Sequence, residues 1–184
     1  MKKLGIFMAD GCEEIEGLTA VDILRRANIE VIMIGITDRN QVTGAHGIVF
    51  EADAYKDEVD YEALDGIILP GGMPGTNNLF ADETVKRVTM QFAQEGKLIA
   101  AICAAPGVVL GGYGLLEGKR ATCYPGFEEK MIGAKYVNEP VVCDDNIITS
   151  RGMGTALDFA LEILAYADNR DAAQKMADNV QYQR

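Results

Sequence analysis

Leu98–Gly107 reads LIAAICAAPG: five small or apolar residues, a cysteine, and two alanines ahead of Pro106 and Gly107. The first half is short and aliphatic, the pattern of a strand buried on both faces. Pro106 suits the first turn of a helix that continues through Val108–Leu110. Cys103 therefore falls where a buried strand hands over to a helix. Runs of the same kind lie at Lys3–Met8, Ile29–Ile36 and Gly66–Leu69. Ile15, Leu18, Val21 and Leu24 mark one helix after the first of these runs, and Val85, Val88 and Phe92 mark another after the third. Strands alternating with helices predict a mainly parallel sheet covered on both faces, a three-layer α/β/α sandwich with right-handed crossovers.

The remaining segments fit around that frame. Gln41–Phe50 carries two short extended pieces about Gly44 and Gly47, an antiparallel excursion with His46 near its tip. Lys119–Cys123, Lys135–Val137 and Val141–Thr149 read as further strands. Ala156–Ala167 is a long helix, and a last one holds Ala172, Ala173, Met176 and Val180. Gly152–Thr155 is read as the cap of the long helix in preference to an anion site.

Composition narrows the function. A chain of 184 residues, 48% hydrophobic and 24% charged, supports one core, so residues 1–184 are expected to form a single domain. The net charge of −11 repels phosphate backbones and anionic lipid, which argues against nucleic acid and membrane partners. No apolar run is long enough to span a bilayer or to act as a signal-peptide core, and a cytoplasmic protein is expected. Cys12, Cys103, Cys123 and Cys143 form no C-x-x-C pair and are expected to be thiols. His46 is the single histidine, which excludes sites needing two imidazoles. The Pro70–Gly72 turn lacks the Gly-Lys-Ser/Thr of a phosphate cradle. Asp158 and Glu162 read as a solvated face, so neither a metal nor a cofactor is expected.

Ligands of open α/β sheets bind beyond the carboxyl ends of the strands. Glu13, Glu14 and Glu16, the Gly71-Gly72 pair and Cys103 all belong there. A thiol at a strand-to-helix turn faces unpaired amides, which favour the thiolate.

Four motifs in order, DGCEEIE (10–16), LPGG (69–72), AAICAAP (100–106) and TSRGMGT (149–155), resemble the ThiJ/PfpI superfamily, in particular its parkinsonism-associated deglycase branch. The resemblance runs from about Lys3 to about Ala167. It implies a flavodoxin-like fold of the class I glutamine amidotransferase type. It also implies Cys103 as the reactive cysteine, Glu16 as its carboxylic partner, and an oxyanion hole from the Gly72 and Ala104 amides beside Gly71. A homodimer is implied too, built on the first helix and the hairpin near His46, with Glu13 and Glu14 left as surface or dimer contacts. Reported family activities are glyoxalase, deglycation, chaperoning and oxidative-stress sensing.

One position departs from the branch: Tyr124 stands where its histidine would be. A tyrosine donates a hydrogen bond but is no base at neutral pH, so protease chemistry is disfavoured for want of a histidine near Cys103. Two readings follow. In the first, a Cys103–Glu16 pair converts methylglyoxal-type dicarbonyls or their adducts. In the second, Cys103 oxidation makes the protein a non-enzymatic stress sensor or a redox-regulated chaperone, and neighbouring Cys123 is a candidate to resolve the oxidised sulfur as a disulfide.

Overall fold

The computed structural model describes residues 2–183. Seven strands form one sheet, in the order Val141–Asp144 (β10), Ile147–Ser150 (β11), Leu98–Ile102 (β7), Gly66–Leu69 (β6), Lys3–Met8 (β1), Glu30–Gly35 (β2) and Ala54–Tyr55 (β5). All pairings are parallel except β10 with β11. This is the expected flavodoxin-like architecture. Gln41–Thr43 (β3) and Val49–Glu51 (β4) form the antiparallel excursion, and Arg120–Ala121 (β8) pairs with Lys135–Tyr136 (β9).

Alternation along the strands explains the uninterrupted apolar runs. Leu4, Ile6 and Met8 of β1 face one layer, while Phe7 faces the other. The first layer holds Glu14–Arg26 (α1), Ala156–Ala167 (α4) and Arg170–Asn179 (α5); Glu83–Glu95 (α3) packs in the second. Because the chain runs from β1 outward to β2 and then crosses back to β6, its direction of winding reverses between β1 and β6. Such a reversal leaves a crevice at the carboxyl edge, where the connecting segments part to opposite faces.

Several details differ from the sequence reading. Val141–Thr149 is two strands, because Asp145, at φ +53°, turns the chain back on itself. The strand expected over Lys119–Cys123 is only two residues long. Gly75–Ala81 (α2) was not anticipated, since it lacks a long apolar stripe. After Cys103 the chain winds as a π-helical turn over Pro106–Gly111. Asp158 and Glu162 are not merely solvated: Tyr182 donates to Asp158 at 2.7 Å and Arg170 grips Glu162 in a two-pronged pair, tying α5 to α4. Thr155 stands immediately before α4 but makes no side-chain capping bond to it; its hydroxyl instead accepts from the Gly152 amide at 3.2 Å, closing the short turn Met153–Thr155 ahead of the helix. Among the described residues no helix is long and apolar enough to cross a membrane.

Candidate active site

Cys103 follows directly after β7 with φ +67°, a left-handed conformation that a side-chain-bearing residue rarely adopts. Two hydrogen bonds hold it there: its amide donates to the Ser150 carbonyl at 2.9 Å, and its carbonyl accepts from the Tyr124 amide at 2.8 Å. Such strain costs about 1–3 kcal/mol and persists only where the surroundings impose it. Here it swings the thiol off the sheet edge toward β6 and α1. The amides of Gly72 and Ala104 point at the sulfur.

Glu16 arrives from the first turn of α1. It is 1% exposed, accepts from the Gly71 amide at 2.9 Å and hydrogen-bonds the Cys103 side chain. The glycine pair makes this approach possible. A Cβ on Gly71 would lie 2.6 Å from the Glu16 Oε2 and 3.0 Å from the Cys103 sulfur. At Gly72, with φ +87°, a Cβ would run into the Cys12–Glu13 backbone, while the Gly71 carbonyl accepts from the Glu13 amide at 2.9 Å.

Burial lifts the Glu16 carboxyl to about 7, against hydrogen bonds from Cys103 and Gly71 that lower it. With Glu16 charged, burial together with that charge and its hydrogen bond pushes the Cys103 thiol up to about 12, against the Gly72 and Ala104 amides. The two groups titrate as one unit, so the position of the remaining proton matters. Two amides and part of the solvent face the sulfur, whereas Glu16 has one amide and no solvent. The negative charge is therefore better placed on sulfur and the proton on Glu16.

The same carboxyl imposes a pH dependence on folding. Its folded value lies above the ordinary one, so the stability it contributes is complete below about 4.5 and is lost as the pH rises through about 7. At 1.36 kcal/mol per unit this amounts to roughly 3 kcal/mol. Denaturant titrations at pH 5 and pH 8 should show that loss in the wild type, and Glu16→Gln should remove most of it.

The cleft above the pair has a volume of about 640 Å³, with Met73, Tyr124, Phe127 and Met153 as apolar walls and Arg151 at its margin. Tyr124 is half-exposed, and its ring stands edge-on to Phe127. Cys123 is wholly buried with the side chains of the second layer, whereas Cys103 packs against the first. All four cysteines are free thiols, and burial pushes both Cys12 and Cys123 upward, to about 12 and about 11.

Two positions depart from the sequence reading. Glu14 is no surface acid: it is 2% exposed and accepts from the His46 and Ile48 amides at 2.8 and 3.3 Å. These bonds draw the loop between β3 and β4 down over the start of α1. His46 is thereby brought into the lining of the same cleft as Cys103. Its Nδ1 lies 3.1 Å from Glu14 and 3.3 Å from Glu13. One donor from each of the three residues falls within 4.8 Å, and a ring proton between the carboxylates accounts for the arrangement.

Fold and site together define a flavodoxin-like α/β protein with a strained strand-to-helix cysteine set against a buried carboxyl. The chain belongs to the DJ-1/PfpI family, whose model matches residues 2–166. It is 36% identical to "Protein DJ-1 homolog B" of Arabidopsis thaliana over 96% of this chain and 40% of that protein, so it spans less than half of that relative's length. It is also 36% identical to the "Glutathione-independent glyoxalase DJR-1.2" of Caenorhabditis elegans, over 84% of this chain and 82% of that one. The solved structure of oxidised DJ-1 from Toxoplasma gondii superposes with a TM-score of 0.96 at 34% identity, covering all of both chains.

Proposed function

We propose that the protein is a cofactor-independent glyoxalase for methylglyoxal-type dicarbonyls or their adducts, with Cys103 as nucleophile and Glu16 as proton carrier. The observation that carries this reading is the buried Glu16 side chain, hydrogen-bonded to a thiol that two amides face. The thiolate adds to the aldehyde carbon and the new oxyanion takes the Glu16 proton, giving a hemithioacetal, while the Gly72 and Ala104 amides stabilise the charge as it develops. Glu16, now a carboxylate, removes the hydrogen from the same carbon, and an enediolate forms with its charge on the second oxygen. Return of that proton to the adjacent carbon, with the hydroxyl proton of the sulfur-bearing carbon passing to the second oxygen, leaves a thioester, which water hydrolyses to the hydroxy acid and the free thiol. The sum is dicarbonyl plus water to hydroxy acid, with no external oxidant. The glyoxalase name of the Caenorhabditis elegans relative supports this assignment.

The same sulfur favours a second role as an oxidation sensor, because it is only partly buried and a sulfenate or sulfinate on it would meet the same amides. Cys123, packed in the other layer, is badly placed to resolve it. Deglycation and chaperoning belong with these readings. So do a cytoplasmic setting and a homodimer through α1 and the β3–β4 hairpin, where Ile15, Ile48 and Val49 are exposed.

The test is proton NMR of methylglyoxal incubated with wild-type protein and with Cys103→Ala. Lactate should accumulate with the wild type alone. Absence of lactate from the wild type would end the glyoxalase reading and leave the sensor.

A further inference from the structure

We propose that His46 is a further catalytic residue of the Cys103–Glu16 site, a general acid that delivers a proton to the substrate oxygen from the β3–β4 hairpin. This rests on the glyoxalase reading and supplies what that mechanism lacks: a donor for the second oxygen of the enediol.

The geometry is that of an oriented imidazole. The His46 backbone is fixed by the buried Glu14 carboxylate at 2.8 Å, and its Nδ1 is held by Glu14 and Glu13 at 3.1 and 3.3 Å. With Nδ1 engaged, Nε2 is the nitrogen left for the cleft that His46 shares with Cys103 and Glu16. A base or acid oriented by a third group in this way is the general form of nucleophile-based sites.

Charge sets the direction of transfer. Glu14 by hydrogen bond and charge, and Glu13 by charge, raise the imidazole above its ordinary value and favour the imidazolium. Both come from the start of α1; the other charged groups around the cleft are Glu16 on its floor and Arg151 at its margin. The two carboxylates at Nδ1 thus favour the form of His46 in which Nε2 also carries a proton. When Glu16 takes the hydrogen from the sulfur-bearing carbon, electrons move onto the ketone oxygen, and the His46 Nε2–H protonates it to the enediol. As Glu16 returns its proton to the adjacent carbon, the hydroxyl on the sulfur-bearing carbon gives its proton back to the imidazole, and the thioester forms. Each group ends as it began.

The experiment compares methylglyoxal turnover across pH 5–10 in the wild type, His46→Gln and Glu13→Gln, with Cys103 alkylation by iodoacetamide as a parallel readout. In His46→Gln, kcat should fall about 100-fold, the lower end for loss of a general acid. Its alkylation rate should stay within about twofold of the wild type, since the backbone contacts to Glu14 remain. The wild-type profile should decline at high pH as the imidazolium is lost. That decline should vanish in His46→Gln and move to lower pH in Glu13→Gln. Unchanged kcat in His46→Gln, or a loss matched by equally slowed alkylation, would overturn the proposal while leaving the glyoxalase reading intact. A wild type without turnover would instead end both.

Discussion

Gly71→Ala is expected to lower kcat/KM for methylglyoxal by about 100-fold or more while the protein still folds. Nothing in the Gly71 backbone forbids alanine, because its φ lies outside the left-handed region. The obstacle is the methyl group, which would overlap the Cys103 Cβ and sit 2.6 Å from the Glu16 Oε2 and 3.0 Å from the Cys103 sulfur. A carboxylate oxygen and a methyl carbon need roughly 3.2–3.5 Å, so Glu16 or Cys103 must retreat by half an ångström or more. Misplacement on the order of 1 Å costs about 100-fold in rate. Overpacking should cost about 1–3 kcal/mol of stability. The neighbouring Gly72 makes a useful contrast, since substitution there drives a Cβ into backbone at φ +87° and should damage folding itself. Steady-state kinetics with a circular-dichroism melt separates the cases; near-normal kcat/KM in folded Gly71→Ala would mean that the close approach of Glu16 to Cys103 is irrelevant to the reaction.

Glu16→Gln should separate nucleophilicity from turnover. The glutamine carbonyl can accept from the Gly71 amide as the carboxylate does, which turns the NH2 group toward sulfur in place of the acid proton. The thiolate thus keeps its donor and should remain alkylatable at pH 7.5 at a rate within a few-fold of the wild type. The amide cannot carry a proton between carbons, however, and kcat should fall by about 10²–10⁴. Slow alkylation and slow turnover together would assign Glu16 to tuning the thiol alone. Retained turnover would remove it from the mechanism.

Much of the frame was legible because β6 and β7 are buried on both faces and so carry no polar residue to obscure them. Ala156–Ala167 was equally plain, since most of that helix is apolar. What escaped was set by distant partners or by single backbone turns. The π-helical winding after Cys103 and the reversal at Asp145 leave no periodic trace. Cys103 and Glu16 were singled out by four motifs and by the position of the cysteine at a strand end. Glu14 and His46 were not, because an acid between two acids looks solvated until a loop 32 residues later folds over it. That His46 lines the same cleft as Cys103 is hidden in the sequence for the same reason. The one available signal was indirect: Gly44 and Gly47 flanking His46 allow that loop to turn back on itself.

The rate of Cys103 alkylation against pH tests the central claim most directly, namely that one proton is shared between the carboxyl and the thiol. If Glu16 holds it, the wild-type rate should rise with an inflection near pH 7 and then level off, with Cys103→Ala defining the background from the other thiols. A rate that climbs without a plateau toward pH 12 would place the charge on Glu16 and the proton on sulfur, and would contradict the account.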